Sequence, residues 1–127
     1  MRETLLIAAA VVSAMTVGVA SSAQAADLAQ GEQVFKKCER CHTLNPGGAQ
    51  KEGPNLHGIF GRKAGTAPGW TYSEAMKNSN VVWTKETLDA FLAKPKDLIP
   101  DNTMNFMGLR KPEEREAVIT YLEQATK

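Results

Sequence analysis

The sequence lacks three features that would place it in a common class of protein. No stretch alternates apolar and polar residues as a half-buried strand does, so no β-sheet is predicted. The formal net charge is only +1, with basic and acidic residues interspersed, so no nucleic-acid-binding surface stands out. The longest predominantly apolar run, residues 5–20, has 16 residues, whereas a membrane-spanning helix needs about 20.

That short apolar run is typical of a secretory leader. It is followed by Ala23-Gln24-Ala25, the small-x-small pattern at which signal peptidase cleaves. We therefore expect residues 1–25 to be a cleaved signal peptide and residues 26–127 to form the exported domain. A leader that stays uncleaved as a membrane anchor is the alternative. The exported part, about 101 residues, would have a marginal core unless a disulfide, a metal or a cofactor completes it.

Four segments of the exported part predict helices. The first is capped by Asp27 and runs toward Lys37, and the last opens with Pro112 as its first residue. Between them, a short helix is expected from 73 to 79 and another from Thr84 to a point before Pro95. The long irregular stretch 45–69 holds seven of the ten glycines, which is typical of a functional loop or of chain wrapped around a ligand.

Both cysteines lie in the segment KKCERCHTL, where Cys38 and Cys41 are followed directly by His42. This C-x-x-C-H pattern attaches haem through two thioethers and places the histidine under the iron. A disulfide is a second interpretation, but thiol oxidoreductases place C-x-x-C after a strand, and none is predicted here. Zinc is a third, although His57 is the only other histidine that could complete the ligand set.

A second axial ligand for haem iron would be a soft donor far along the chain. Three methionines follow the leader. Met76 lies in a helical stretch, where packing is the default role of a methionine. Met104 and Met107 lie in the irregular segment IPDNTMNFMG, which could present a sulfur atom. Spacing alone does not choose between these two.

The landmarks of the chain, taken in order, resemble the class I cytochromes c of the soluble mitochondrial and bacterial periplasmic type. The likeness covers about residues 31–126. Its landmarks are GEQVFKKCERCHTL, GPNLHGIFGRKAG, WTKETLDAFLAKPK, IPDNTMNFMG and EEREAVITYLEQAT. The resemblance implies an all-α fold of about four helices around one covalently attached haem c, with the first and last helices crossing. In that crossing, Gly31 and Phe35 would meet Val118 and Tyr121.

The resemblance also implies roles for individual residues. Cys38 and Cys41 match the haem-attaching thiols, and His42 matches the proximal ligand. Pro54 falls where a proline carbonyl orients that histidine. Met104 stands at the family's position for the distal ligand, which leaves Met107 as a packing residue. The propionate side of the haem would be surrounded by Arg62, Tyr72, Trp83 and Asn102.

Three positions depart from the family pattern. Asn102 stands where a threonine is usual, and its hydrogen bond to a propionate is expected to have different geometry. Phe91 replaces the tyrosine that usually lies beside the methionine sulfur, so we expect a shifted reduction potential. Met76 replaces a common asparagine and makes its surroundings more apolar.

The function that the resemblance implies is transfer of single electrons, without enzymatic activity. Iron with both axial positions filled by the protein has no place for a substrate. We expect a monomeric periplasmic carrier that docks transiently with a bc1-type complex, a terminal oxidase, a reaction centre or a periplasmic dehydrogenase. No nucleic acid and no small-molecule substrate is expected. The alternatives are a five-coordinate haem protein with peroxidase or gas-binding activity, and a cytochrome subunit of a larger oxidoreductase.

Overall fold

The computed structural model describes residues 9–13 and 19–127, and their regular structure is entirely helical. Within those residues the only pairing of β type is an isolated bridge between Lys63 and Val82. The all-α prediction is therefore confirmed. The helices, in chain order, are α1 (Val19–Phe35), α2 (Glu74–Lys77), α3 (Lys85–Ala93), α4 (Pro95–Leu98) and α5 (Pro112–Ala125).

Helix α1 begins at Val19, and Asp27 lies inside it rather than at its N-cap, so the predicted start is wrong. The residues before Asp27 are mostly alanine, serine and glutamine, which allow a helix to continue upstream. The helix ends at Phe35, two residues before the predicted end, and the chain continues in hydrogen-bonded turns. Much of the leader prediction concerns residues 1–8 and 14–18, which lie outside the described residues. No described helix is long and apolar enough to cross a membrane.

The first and last helices cross at a glycine, as predicted. Gly31 is buried, and a Cβ atom there would overlap the carbonyl oxygen of Ala117 and the side chain of Tyr121. Only glycine permits this close approach of α1 to α5. Beside the crossing, the rings of Phe35 and Tyr121 lie 5.8 Å apart, centre to centre. This contact brings the turn that follows α1, where both cysteines lie, against the C-terminal part of the fold.

Helices α2, α3 and α5 begin close to the positions that their capping residues predict. The hydroxyl of Thr84 accepts from the backbone N–H of Thr87, and the Thr87 hydroxyl accepts in return from the N–H of Thr84. Helix α3 ends before Pro95, as expected, but that proline then opens α4, which the sequence did not predict. Proline is tolerated at the first position of a helix because its missing N–H would have no partner there.

Helix α3 packs against α5, and two ion pairs join them. Asp89 accepts from Arg115 at 2.7 Å, and Lys85 lies 2.9 Å from Glu123. The main core fills the space between the helices and the long loop, and consists of Val34, Phe35, Ile59, Ala64, Trp83, Leu88, Phe91, Leu92, Ile99, Leu109, Val118, Ile119 and Leu122. On one side this core is open, and the opening is the cleft described next.

Candidate functional site

A deep cleft runs between the turn after α1, the long loop, α3 and the segment that precedes α5. It encloses about 1450 Å³ of space free of protein atoms, including the solvent at its mouth. The chain elements that meet there are far apart in sequence. Of the residues that the sequence analysis placed at or near the haem, those that line the cleft are Cys38, Cys41, His42, Pro54, Arg62, Tyr72, Met76, Trp83, Phe91 and Met104.

The two cysteines lie at the cleft with their thiols free, so they do not form a disulfide with each other. Burial raises the pKa of the Cys38 thiol to about 11. The Cys41 thiol donates to Glu52 Oε2 at 3.3 Å, and this hydrogen bond is the main cause of its raised pKa. Among the described residues, no three His, Cys, Asp or Glu side chains converge as metal ligands, so the zinc interpretation finds no ligand set.

His42 is held in an orientation suited to a metal ligand. Its Nδ1 lies 2.7 Å from the carbonyl oxygen of Pro54, and it must carry the proton there because a carbonyl can only accept. The other ring nitrogen, Nε2, is then left with its lone pair free to bind a metal. Burial lowers the pKa of the imidazole, which the hydrogen bond to Pro54 partly offsets, and so favours the neutral ring.

Gly53 supports the same ring from its side. A Cβ atom at Gly53 would lie 2.5 Å from His42 Cε1, closer than real Cβ atoms come to a neighbour. The loop that carries Gly53 and Pro54 is hydrogen-bonded to the C-x-x-C-H motif and the residue after it. The N–H of Gly53 donates to Cys41 O, and the N–H of Leu56 donates to Thr43 O, both at 2.9 Å. The sequence analysis did not predict a role for Gly53. Its position directly before Pro54 is the feature of the sequence that could have indicated one.

The structure separates the candidate methionines by exposure. Met107 is 94 % exposed and does not line the cleft, whereas Met104 is half-buried and does. Met76, which was expected only to pack, lines the cleft as well. The segment that carries Met104 has no regular secondary structure, and its position depends on the contacts at its two ends.

Asn102 shapes the approach to Met104 and is not among the cleft-lining residues. It is 2 % exposed, and its Nδ2 donates to Ile99 O at 2.7 Å. Its Oδ1 accepts from the backbone N–H of Met104 at 3.1 Å. The side chain thus joins the two ends of a tight turn. The second N–H of Asn102 Nδ2 takes part in neither of these bonds. The predicted contact between Asn102 and a haem propionate stays a prediction.

One part of the cleft is polar while most of its wall is apolar. Arg62 donates to His57 O at 3.0 Å, and its positive charge acts on Tyr72, whose pKa is nevertheless raised because burial dominates. Trp83 is buried, and its ring meets that of Phe91 edge-on, with centres 5.0 Å apart. Sequence reasoning did not single out Trp70 and Phe106, which also line the cleft. Trp70 directly follows Gly69, and Phe106 lies in the irregular segment between Met104 and Met107, where it packs against the core.

These features fit a flat, largely apolar cofactor that carries anionic groups and a metal. Two thiols stand at one edge, a pre-oriented imidazole and a thioether lie within the cleft, and a guanidinium and a phenol lie in its wall. The fold and the cleft together define a small helical haem protein.

Comparisons with known proteins agree with this class and narrow it. The family model for cytochrome c matches residues 28–126. The chain is 52% identical over 107 residues to cytochrome c of Chlamydomonas reinhardtii, covering 84% of this chain and 96% of that protein. It is 48% identical over 105 residues to cytochrome c of Nigella damascena, covering 82% and 95% of the two chains. The chain belongs to the cytochrome c family. Its cofactor is one covalently bound haem c, and it is a haem electron-transfer protein.

Proposed function

We propose that this protein is an exported carrier of single electrons in which Cys38 and Cys41 bind the haem covalently and His42 and Met104 are its axial ligands. The observation that carries the proposal is the hydrogen bond from His42 Nδ1 to Pro54 O, which leaves Nε2 free to bind a metal in the same cleft as Met104. When bound, the haem supplies an iron atom that cycles between two oxidation states.

The protein's part in this chemistry is to hold the two ligands and to exclude other molecules. With His42 and Met104 as ligands, no axial position is left for a substrate, which supports electron transfer rather than catalysis. A thioether ligand favours the reduced iron and so raises the reduction potential. The buried, apolar side chains of Leu88, Phe91 and Leu92 line the cleft. Such packed side chains would keep the surroundings of the haem similar in both oxidation states.

We propose the periplasm as the compartment, with residues 1–25 removed as a signal peptide and residues 26–127 as the mature protein. The apolar run 5–20 and the Ala23-Gln24-Ala25 pattern support export. The start of the family match at residue 28 also supports a domain that begins just after the leader. We expect a monomer whose partners are redox proteins that dock transiently. The classes considered are a bc1-type complex, a terminal oxidase, a reaction centre and a periplasmic dehydrogenase.

The test of the proposed ligands is an absorption spectrum of the purified periplasmic protein, oxidised and reduced, beside a Met104→Ala variant. We expect a low-spin spectrum with a weak near-infrared sulfur-to-iron band that the variant loses. A Met107→Ala variant is the matched control and should keep the band, because Met107 points into solvent. A high-spin wild-type protein that binds carbon monoxide readily would contradict the assignment and favour ligand-binding or peroxidase chemistry.

A further inference from the structure

The segment that carries Met104 is fixed at both ends and has few hydrogen bonds between them, although Met104 and Phe106 pack against the core. Its N-terminal end is anchored by Ile99 and Asn102, each 2 % exposed. Between Met104 and Leu109, the hydrogen bond found within the described residues runs from the N–H of Phe106 to Met104 O. A segment with so few bonds of its own takes its position from its anchors, so the second anchor also influences where the Met104 sulfur lies.

The second anchor is at Gly108 and Leu109. Leu109 is 3 % exposed, and its N–H donates to Leu92 O in α3 at 2.7 Å. Gly108, with φ of 111°, packs so closely on Ala93 that a Cβ atom would overlap the carbonyl oxygen of Ala93. These contacts join the segment to the last turn of α3. They leave the carbonyl groups of Leu109 and Arg110 on the side that faces α5.

A single side chain of α5 binds both of those carbonyl groups. Arg115 Nη1 donates to Leu109 O at 2.9 Å and to Arg110 O at 3.2 Å. Its Nε donates to Asp89 Oδ1 of α3 at 2.7 Å. The Arg115 side chain is only 13% exposed, although that of its partner Asp89 is 48% exposed, so water screens the ion pair in part. One guanidinium therefore joins α3, α5 and the end of the Met104 segment.

We propose that Arg115 is a positioning residue for the axial methionine. Through Leu109 and Arg110 it fixes the C-terminal end of the Met104 segment, and so sets how readily the Met104 sulfur leaves the iron. The inference rests on the proposed role of Met104 as a ligand. Arg115 does not line the cleft, so its effect is transmitted by the backbone of the segment.

The test measures displacement of Met104 by imidazole in the ferric holoprotein, by loss of the near-infrared band, in Arg115→Met and Lys85→Met variants. Lys85 is a matched control because its ion pair with Glu123 also joins α3 to α5 but does not touch the segment. We expect imidazole to bind Arg115→Met about tenfold more tightly than wild type, since charged hydrogen bonds to the segment are lost. Lys85→Met should bind imidazole as wild type does.

Thermal unfolding of the same variants separates positioning from general stability. If Arg115→Met lowers the unfolding midpoint but leaves imidazole binding unchanged, or if both variants change binding equally, the proposal is wrong. If Arg115→Met does not fold, the imidazole affinities of Arg115→Lys and Asp89→Asn are compared with that of wild type instead. Lysine lacks the fork that reaches several acceptors at once, so Arg115→Lys should show an intermediate affinity, and Asp89→Asn a smaller change. Wild-type affinity in both would overturn the proposal. A wild-type spectrum without the band would overturn the ligand assignment itself.

Discussion

The His42 side and the Met104 side of the cleft are held in different ways. On the His42 side, the ring itself has a hydrogen-bond partner in Pro54 O, and Gly53 lies against it. The loop beneath is cross-linked further, because Asn55 Nδ2 donates both to Thr43 Oγ1 and to Asn45 O at 2.8 Å. The predicted proximal ligand is thus oriented directly by contacts of its own ring.

On the Met104 side, hydrogen bonds from residues 9–13 and 19–127 reach the backbone of the predicted ligand and not its sulfur atom. Asn102 accepts from the Met104 N–H, and Arg115 holds the far end of the segment. A thioether offers only a weak acceptor, so the Met104 side chain is oriented by packing against the core rather than by a hydrogen bond. The comparison teaches that the histidine is fixed directly and the methionine indirectly. We therefore expect the methionine to be the weaker of the two ligands.

The largest effects are expected when each predicted ligand is removed in turn. His42→Ala should reduce the yield of holoprotein by about tenfold or more, since the residue that orients the iron is lost. Met104→Ala should keep its covalent haem, lose the near-infrared band and gain affinity for carbon monoxide. Haem staining after denaturing electrophoresis and pyridine haemochrome spectra measure the yields. Equal yields of holoprotein for the two variants would contradict the conclusion that the methionine is the weaker of the two ligands.

A smaller effect is expected from crowding the histidine. Gly53→Ala places a Cβ atom against the His42 ring and should lower the free energy of unfolding by about 1–3 kcal/mol, the usual range for overpacking. The control is Gly47→Ala, where a Cβ atom meets nothing within 4 Å and the cost is confined to its positive φ of 67°. Denaturant unfolding of the holoproteins measures both. If Gly53→Ala lowers the free energy of unfolding no more than Gly47→Ala does, the His42 ring has room for the added Cβ atom.

On the methionine side, Asn102→Ala should act locally. It removes the acceptor of the Met104 N–H from a buried position, which costs about 1–3 kcal/mol. Because the segment has few other bonds, we expect the near-infrared band to disappear on heating well before the helices unfold. Met107→Ala, which changes an exposed side chain of the same segment outside the cleft, is the control and should melt as wild type does. A single transition for both signals in Asn102→Ala would show that the segment does not loosen separately.

The smallest effect is expected at Phe91, which stands where the family usually has a tyrosine beside the methionine sulfur. Phe91 is buried and lines the cleft, and Phe91→Tyr would offer a hydroxyl to the Met104 sulfur. A donor to the sulfur withdraws electron density from it and disfavours the oxidised iron. We expect the reduction potential to rise by about 20–40 mV, equivalent to roughly 0.5–1 kcal/mol for one electron. Protein-film or mediated titration measures it, and an unchanged potential would contradict the expectation.

Local sequence rules predicted the starts of α2, α3 and α5 and missed boundaries that depend on more than one signal. Thr84 and Pro112 marked the starts of α3 and α5 because capping and proline at the first turn are effects of neighbouring residues. Asp27 was a plausible cap, but the helix-compatible residues before it extend α1 to Val19. Pro95 was interpreted only as the end of α3, although the same property allows it to begin α4.

The sequence by itself determined two expectations about this protein. The C-x-x-C-H motif, which spans five positions, predicted attachment of haem. The all-α class followed from the lack of any alternating strand pattern and from the resemblance to the family. Resemblance to the family, not spacing, chose Met104 as the predicted distal ligand. Only the tertiary structure decided that Met104 lies in the cleft while Met107 points to solvent. It also decided that Pro54 reaches His42 and that Arg115 reaches Leu109. Such contacts depend on how separate elements pack, and no local pattern of residues encodes that packing.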